Sequence, residues 1–115
     1  TGLPTGDAAL LIDTSNRAGG MDGSVCDSDG NIWNARWGEG CVDQYGADGR
    51  HLQSLALPAR QTSCPAFFGS QPGQLAVTSA WQGMSEEDRV SDPMAGQLFS
   101  LKVSATGLPE AAYRL

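Results

Sequence analysis

The sequence has no long apolar stretch and carries little charge. No run of about 18 apolar residues occurs in the 115-residue chain, so no transmembrane helix is expected. Charged residues make up 17% of the chain, with 7 basic and 13 acidic side chains. This acidic balance argues against a nucleic-acid partner, because phosphates are bound by clustered lysine and arginine. The first residues also lack the basic and then apolar pattern of a secretory signal.

Cysteine and histidine are scarce, with three and one in the chain. No Cys-x-x-Cys pair or Cys/His spacing typical of a zinc site is present. Because Cys26, Cys41 and Cys64 cannot all pair with one another, we interpret them as free thiols that serve as small buried apolar residues. Free thiols indicate a reducing compartment, so we expect a cytoplasmic protein. One disulfide with a third free thiol is the alternative.

Helical periodicity is almost absent, whereas glycine and proline are frequent, at 15 and 6 residues. Short apolar runs separated by Asp-Gly and other Gly-containing turns are typical of antiparallel strands. The runs predict strands over residues 8–12, 24–27, 32–37, 41–45, 51–57, 64–68, 75–80 and 96–101. The exception is one helical turn after Ser85, inside a long insert, where a capping serine precedes three acidic residues.

The predicted strands recur in units of four about every 40 residues, which is typical of β-propeller blades. Residues 18–60 form one predicted four-stranded blade and residues 61–115 a second, last blade. Residues 1–17 would add one outer strand of a preceding blade. Since a propeller needs about four blades to close, the remaining blades must come from elsewhere or from self-association. A small sandwich of eight or nine strands fits the same turn spacing and is the alternative.

Several motifs follow one another in a recognisable order. They are Met-Asp-Gly at 21–23, Ile-Trp-Asn-Ala at 32–35, Thr-Ser-Cys at 62–64, Leu-Ala-Val-Thr-Ser-Ala at 75–80 and Pro-Met-Ala-Gly-Gln-Leu-Phe at 93–99. Together they resemble the regucalcin/gluconolactonase family of sugar lactonases. The resemblance covers residues 18–109, and these correspond to the last third of a family protein.

The resemblance implies that the chain is the C-terminal part of a six-bladed β-propeller. Family members hydrolyse sugar lactones with one divalent cation at the mouth of the central channel, held by a Glu, Asn side chains and an Asp. The Asp matches Asp22, which the resemblance makes both a metal ligand and the proposed catalytic base, although Met21 replaces the usual proline. Calcium is the first candidate for the cation, and zinc, magnesium and manganese are alternatives. No residue of this chain matches the Glu and Asn ligands.

The chemistry of the carboxyl group gives Asp22 a second line of argument. A carboxylate that precedes a strand at a channel mouth suits a hard cation such as calcium. The cation would polarise a lactone carbonyl and lower the pKa of a bound water. The alternative is that Asp22 supports a turn, since Gly23 follows it. The segment 27–31 is a hairpin turn in our interpretation, because it lacks the Gly and Glu positions of an EF-hand.

Three further residues were considered for the site. Trp37 and Trp81 occur at matching turns on the mouth side and are candidate substrate-binding residues for the faces of a sugar, with packing between blades as the alternative. Ser63 holds in the second blade the place of Asp22. A Ser-His-Asp triad is not expected, because His51 lies in an outer strand far from Ser63.

We therefore expect part of a metal-dependent sugar lactonase that is inactive as an isolated 115-residue chain. One carboxylate without its fellow ligands cannot hold a cation tightly. The expected partners are a small sugar lactone and the missing blades of the same protein, or a second copy, with no nucleic acid and no membrane. The alternative is a non-catalytic calcium-binding or structural module.

Overall fold

The computed structural model describes residues 3–112, which form two antiparallel β-sheets and one short helix. In chain order the elements are β1 (Gly20–Cys26), β2 (Ile32–Trp37), β3 (Cys41–Tyr45), β4 (His51–Ala56), β5 (Thr62–Phe67), β6 (Gln74–Ser79), α1 (Glu86–Ser91) and β7 (Leu98–Lys102). The first sheet has the order β1-β2-β3-β4 and the second β5-β6-β7. Across residues 3–112, no helix is long and apolar enough to cross a membrane. The expected all-β class is confirmed.

Two Asp-Gly turns close the hairpins of the first sheet, as the sequence predicts. Gly30 and Gly49 both have φ of 82°, a left-handed conformation that glycine adopts without strain. The turn after β3 is closed by a hydrogen bond of 2.9 Å from the Gly49 N–H to the Gly46 carbonyl. The helix α1 also begins as predicted. Its capping residue Ser85 accepts from the Asp88 N–H at 3.1 Å and donates its own N–H to the Asp88 carboxylate.

The strand predicted over residues 8–12 does not form within this chain. Instead the segment crosses the face of the first sheet that points away from the second. There the backbone of Leu11 lies directly against Gly49, at the β3–β4 turn. Farther along, Arg17 pairs with Asp43 in β3. A strand needs a neighbouring strand for its backbone hydrogen bonds, and the described residues offer this segment none.

The second sheet has three strands in the described part of the chain, rather than the four predicted for residues 61–115. After β7 the chain turns back towards the core, where Ala105 is buried. Gly107 forms an isolated bridge with Asp27 instead of adding a ladder to β7. Residues 113–115 of the predicted blade lie outside the described residues.

The hydrophobic core lies between the two sheets, where β5 packs against β1 and β2. Trp33 from β2 and Val42 from β3 meet Leu75 and Val77 from β6, and all four are fully buried. Phe67 stands edge-on to Trp33, with 6.0 Å between the ring centroids, a favourable aromatic arrangement. This packing fixes the orientation of the two sheets.

The free-thiol prediction holds for bonding and fails in part for burial. Cys26, Cys41 and Cys64 are all free, but only Cys41 is buried. Cys26 ends an edge strand and Cys64 lies in the bulge of β5, and both residues are exposed. Burial, and then the neighbouring Asp43 carboxylate, raise the pKa of the Cys41 thiol to about 11, which keeps it protonated and unreactive.

Each sheet has a β-bulge in its first strand, and the two bulges share one end of the sheets. In β1 the register shifts between Met21 and Ser24, and in β5 between Thr62 and Cys64. β1 therefore begins at Gly20 rather than at residue 24, and it continues through its bulge. A bulge adds a residue to one strand and turns a side chain in a new direction.

We call this end of the sheets the bulge end. It comprises the first residues of β1 and β5, the β2–β3 turn and the insert between β6 and β7. A bridge between Trp37 and Gln61 joins the two sheets there.

Packing of the core gives the first testable prediction. Leu75→Ala removes a fully buried side chain, so we expect it to lower the free energy of unfolding by about 2–5 kcal/mol. Leu52→Ala is the matched control, because Leu52 is 41% exposed in β4. Urea unfolding followed by tryptophan fluorescence measures both. Equal losses from the two variants would contradict the position assigned to the core.

Candidate metal and substrate site at the bulge end

Asp22 lies in the bulge of β1, with its side chain exposed to solvent. Hydrogen bonds among residues 3–112 leave its carboxylate without a partner. Its carbonyl oxygen accepts from Asn34 Nδ2 at 2.8 Å. Asp22 is part of a strand and not of a turn, so the role of turn support that its sequence neighbour suggested does not apply. The exposed carboxylate is open to a ligand.

Gly23 explains why the bulge of β1 can meet the bulge of β5. A Cβ atom at this position would lie 2.7 Å from Cys64 Sγ and 2.7 Å from the Ser63 carbonyl oxygen, closer than real Cβ contacts. Only glycine leaves room for this approach of two backbones. The Asp-Gly pair at 22–23 therefore serves packing between the sheets and brings Asp22 next to the start of β5.

Asp43, the other acidic residue in the described strands, differs from Asp22 in burial and in the hydrogen bonds of its carboxylate. It is fully buried in β3, and its carboxylate accepts from Tyr45 Oη at 2.9 Å and from Ser54 Oγ and Arg17 Nη1 at 2.5 Å. Burial alone would raise the pKa of this carboxyl, but the hydrogen bonds from Ser54, Tyr45 and Arg17 outweigh it and hold the pKa below its ordinary value. Asp43 has no capacity left for a metal ion.

Arg17 ties the segment before β1 to the first sheet. It pairs with both Asp43 and Glu39. Glu39 also accepts from Arg36 at 2.8 Å and from the Gly19 N–H at 3.0 Å. Because Arg36 and Asp43 are fully buried, this network is shielded from solvent and from salt. It fixes the approach of the chain to β1 and so to Asp22.

The 27–31 segment is a hairpin turn, as the sequence predicts. Asp27 Oδ1 accepts from the N–H groups of Asp29 and Asn31, and Oδ2 accepts from Trp33 Nε1 at 2.9 Å. Burial works against the ionised form, but the hydrogen bonds from Trp33, Asn31 and Asp29 together lower the pKa of Asp27. Its carboxylate is consumed by the turn.

The two candidate tryptophans both lie at the bulge end, in different surroundings. Trp37 ends β2 and is partly buried. Trp81 opens the insert and is 49% exposed, but the Arg89 guanidinium carbon stands 3.6 Å from its ring centroid. One indole face is therefore covered by Arg89 through a cation–π contact. The pyrrole edge of the ring lies close to Gly96, where a Cβ atom would lie 2.7 Å from Trp81 Cδ1.

Sequence reasoning missed Arg89, which lines a shallow pocket with Trp81, Ser79 and Gly96. Its place on a short helix gives no signal, because an arginine there is ordinarily a solvated surface residue. What distinguishes it is the stacking on Trp81, a contact within the insert that depends on how the insert folds.

Among residues 3–112 the hydrogen bonds of Ser63 and His51 do not build a catalytic triad. Ser63 Oγ lies 2.8 Å from Thr78 Oγ1 in the second sheet. His51 lies instead beside Ser54, at 2.9 Å, in the first sheet. There Ser54 donates directly to Asp43, so the imidazole does not stand between serine and aspartate as a triad requires. The prediction that His51 and Ser63 do not form a triad agrees with these contacts.

The described residues contain one candidate ligand rather than a complete metal site. Within residues 3–112, no group of three acidic, histidine or cysteine side chains is close enough to share an ion. The oxygen donor of Asp22 matches the preference of calcium and magnesium for carboxylates. Asp22 is therefore a candidate ligand only, and the described residues do not complete a site around it.

Comparison with known proteins identifies the family. The SMP-30/Gluconolactonase/LRE-like region matches residues 2–105. The chain belongs to this family. The Rhizobium meliloti (strain 1021) protein named "Putative sugar lactone lactonase" is 53% identical over 115 residues, which are the whole of this chain and 39% of that protein. The L-arabinolactonase of Azospirillum brasilense is 41% identical over 95 residues, or 83% of this chain and 31% of that protein.

A solved structure of the SMP-30/gluconolactonase family gives the same picture. Regucalcin from Agrobacterium tumefaciens strain C58, described as a calcium-binding protein, superposes with a TM-score of 0.94 and 49% identity. The match covers 100% of this chain and 39% of that one. The chain thus spans about two fifths of the length of these relatives. The resemblance stated from the motifs is confirmed.

The buried turn acid gives a prediction about acid stability. Asp27→Asn removes a charged acceptor of several hydrogen bonds, so at pH 7 it should lower the free energy of unfolding by about 1.5–3 kcal/mol. The folded-state pKa of Asp27 is lowered, so its contribution is present above the unfolded value of about 3.9 and is lost as pH falls through the folded pKa. The gap between parent and variant should therefore narrow below about pH 4.

Urea unfolding from pH 7 to pH 2.5 measures this gap. Asp29→Asn is the control, because Asp29 is exposed and takes part in the turn through its backbone N–H. A gap that stays constant over the whole pH range would show that the Asp27 charge does not hold the turn.

Proposed function

We propose that this chain supplies adjoining blades of a six-bladed β-propeller, and that the complete propeller is a divalent-metal-dependent sugar lactonase. The observation that carries the proposal is Asp22, an exposed strand carboxylate without a protein partner, held in a bulge within the family's Asp-Gly motif. The names of the relatives, which include L-arabinolactonase, supply the substrate class.

An unpaired strand edge and exposed apolar side chains of the two sheets support the proposal of a propeller. β1 is an edge strand whose outer side has no neighbour in the first sheet. In the second sheet, Leu98 of β7 is 68% exposed, and Phe68, which directly follows β5, is 44% exposed. Exposed strand edges and apolar side chains are ordinarily covered in a finished protein. Further blades packed face to face would cover such apolar side chains, in agreement with a chain that spans 39% of its relatives, while the free edge of β1 would line the central channel.

In the proposed reaction Asp22 acts at the mouth of the channel. A bound divalent cation would polarise the lactone carbonyl and lower the pKa of a water. Asp22 would contribute one oxygen ligand and accept a proton from the water that attacks the carbonyl carbon. The bond between that carbon and the ring oxygen then breaks, Asp22 returns the proton to the leaving ring oxygen, and the product is the open hydroxy acid. The Glu and Asn ligands of the family would come from the other blades.

Arg89 and Trp81 would bind the substrate rather than take part in the chemistry. Because Arg89 covers one indole face, the guanidinium N–H groups are the donors available to sugar hydroxyls in this pocket. Trp81 would hold Arg89 in place and present its remaining exposed edge. Trp37 remains a candidate at the neighbouring turn.

A chimera tests the proposed role of Asp22. The aligned 95 residues of the A. brasilense L-arabinolactonase are replaced by their counterparts from this chain. Lactone hydrolysis is measured through the protons that it releases. We expect the chimera to hydrolyse the lactone of its parent. Asp22→Asn should lower kcat by about 10²–10⁴-fold, because a general base is lost. Asp29→Asn, in the exposed turn, should leave it within about threefold, since no more than a solvated surface charge is lost. The proposal fails if Asp22→Asn is as active as the chimera itself.

The isolated chain separates the enzyme reading from a stand-alone calcium module. With one carboxylate ligand, the 115-residue chain should bind calcium no better than about 1 mM and should hydrolyse no lactone. Isothermal titration calorimetry with calcium chloride measures the first expectation. Micromolar binding that disappears in Asp22→Asn would favour a non-catalytic calcium-binding module.

A further inference from the structure

Asn34 is a buried polar residue of β2 that faces the bulge of β1. It is 1% exposed. Its Nδ2 donates at 2.8 Å to both the Asp22 carbonyl oxygen and Ser24 Oγ, and it lies 3.3 Å from the Gly23 carbonyl oxygen. An amide nitrogen has two hydrogens, so the two short contacts are full hydrogen bonds and the third is shared. One side chain thus contacts all three residues around the bulge.

The other end of the same amide has no partner. Asn34 Oδ1 is buried and, among the described residues, accepts no hydrogen bond. Turning the amide over would place this oxygen against the carbonyl oxygens of Asp22 and Gly23, so these two acceptors fix its orientation. A buried acceptor without a donor lowers stability, and valine would suit a strand position better. Strand propensity therefore does not explain why position 34 is an asparagine. The two N–H groups of its amide, which bond to the bulge of β1, do explain it.

The donors are needed because the bulge interrupts the ladder between β1 and β2. Pairing runs from Met21 with Arg36 directly to Ser24 with Asn34, so Asp22 and Gly23 both stand opposite Ala35. A bulge leaves backbone groups unpaired, and a buried carbonyl needs a donor. At the bulge, where the ladder is interrupted, the Asn34 side chain supplies this donor to the Asp22 carbonyl oxygen.

We propose that Asn34 is a positioning residue for Asp22. By holding the carbonyl groups of the bulge, its amide fixes the direction in which the Asp22 carboxylate leaves β1. The effect on catalysis rests on the proposed function of Asp22, whereas the effect on the bulge does not. Residues that orient a metal ligand typically change metal affinity or activity by about 10–100-fold when they are replaced.

The first experiment needs neither metal nor substrate. Asn34→Leu and Asn34→Val each remove both donors, and valine provides a variant with favourable strand propensity if leucine does not fit. Hydrogen–deuterium exchange of the metal-free chain is followed in peptides that contain β1. Both variants should exchange faster at 22–24 than the parent. Val42→Ala is the control, since it weakens the core without touching the bulge. Equal exchange at 22–24 in parent and Asn34 variants would overturn the proposal.

The second experiment uses the chimera and measures kcat, KM and calcium affinity separately. Asn34→Leu and Asn34→Val should lower kcat and calcium affinity by about 10–100-fold, with KM for the lactone changed less. Val42→Ala should leave both within about threefold, although its melting temperature falls. If Asp22→Asn abolishes turnover while both Asn34 variants keep the kcat and calcium affinity of the chimera, Asn34 does not position Asp22. If Asp22→Asn itself has no effect, the proposed function fails, and the exchange experiment still decides the role of Asn34 in the bulge.

Discussion

The close approach of two strand backbones at Gly23 is the constraint on which the bulge end depends. β1 and β5 belong to different sheets, yet Gly23 of the first lies directly against Ser63 and Cys64 of the second. A side chain at this position would separate the strands, and with them the Trp33 and Phe67 rings that meet in the core below. The same glycine places the neighbouring Asp22 where the two sheets meet. Gly23 therefore determines both how the two sheets pack and where the candidate ligand Asp22 lies.

The acidic side chains divide according to what surrounds them. Asp27 and Asp43 are buried, each accepts several hydrogen bonds, and the pKa of each is lowered as a result. These two carboxylates stabilise a turn and the segment before β1. Asp22 belongs to the same sheet, yet no residue of the described chain satisfies its carboxylate. The carboxylate of Asp22 is therefore the one of these three that stays free for the metal-ligand role proposed for it.

Most of the strands could be read from the sequence, because glycine turns and short apolar runs are local signals. Two predicted strands are not formed among the described residues, and both absences have one physical reason. Residues 8–12 have the composition of a strand, and a fourth strand was expected after β7, but a strand exists only where a neighbour accepts its hydrogen bonds. The described residues provide no such neighbour. The site shows the same division: Asp22 stands in a motif that the family resemblance reveals, whereas the stacking of Arg89 on Trp81 and the position of Asn34 under the bulge depend on how the chain folds.

The sequence by itself determined the all-β class, the Asp-Gly hairpins, the capped helix, the family and the candidate carboxylate. The class, the hairpins and the helix depend on a residue's own conformational preferences and on its immediate neighbours along the chain, whereas the family and the carboxylate come from the resemblance of the motifs. Only the tertiary structure decided that Asp22 lies inside a strand, that Gly23 serves contact between sheets, and that Asn34 faces the bulge. Each of these depends on strand register and on the packing of one sheet against another, and a single shift of register would have brought different side chains together.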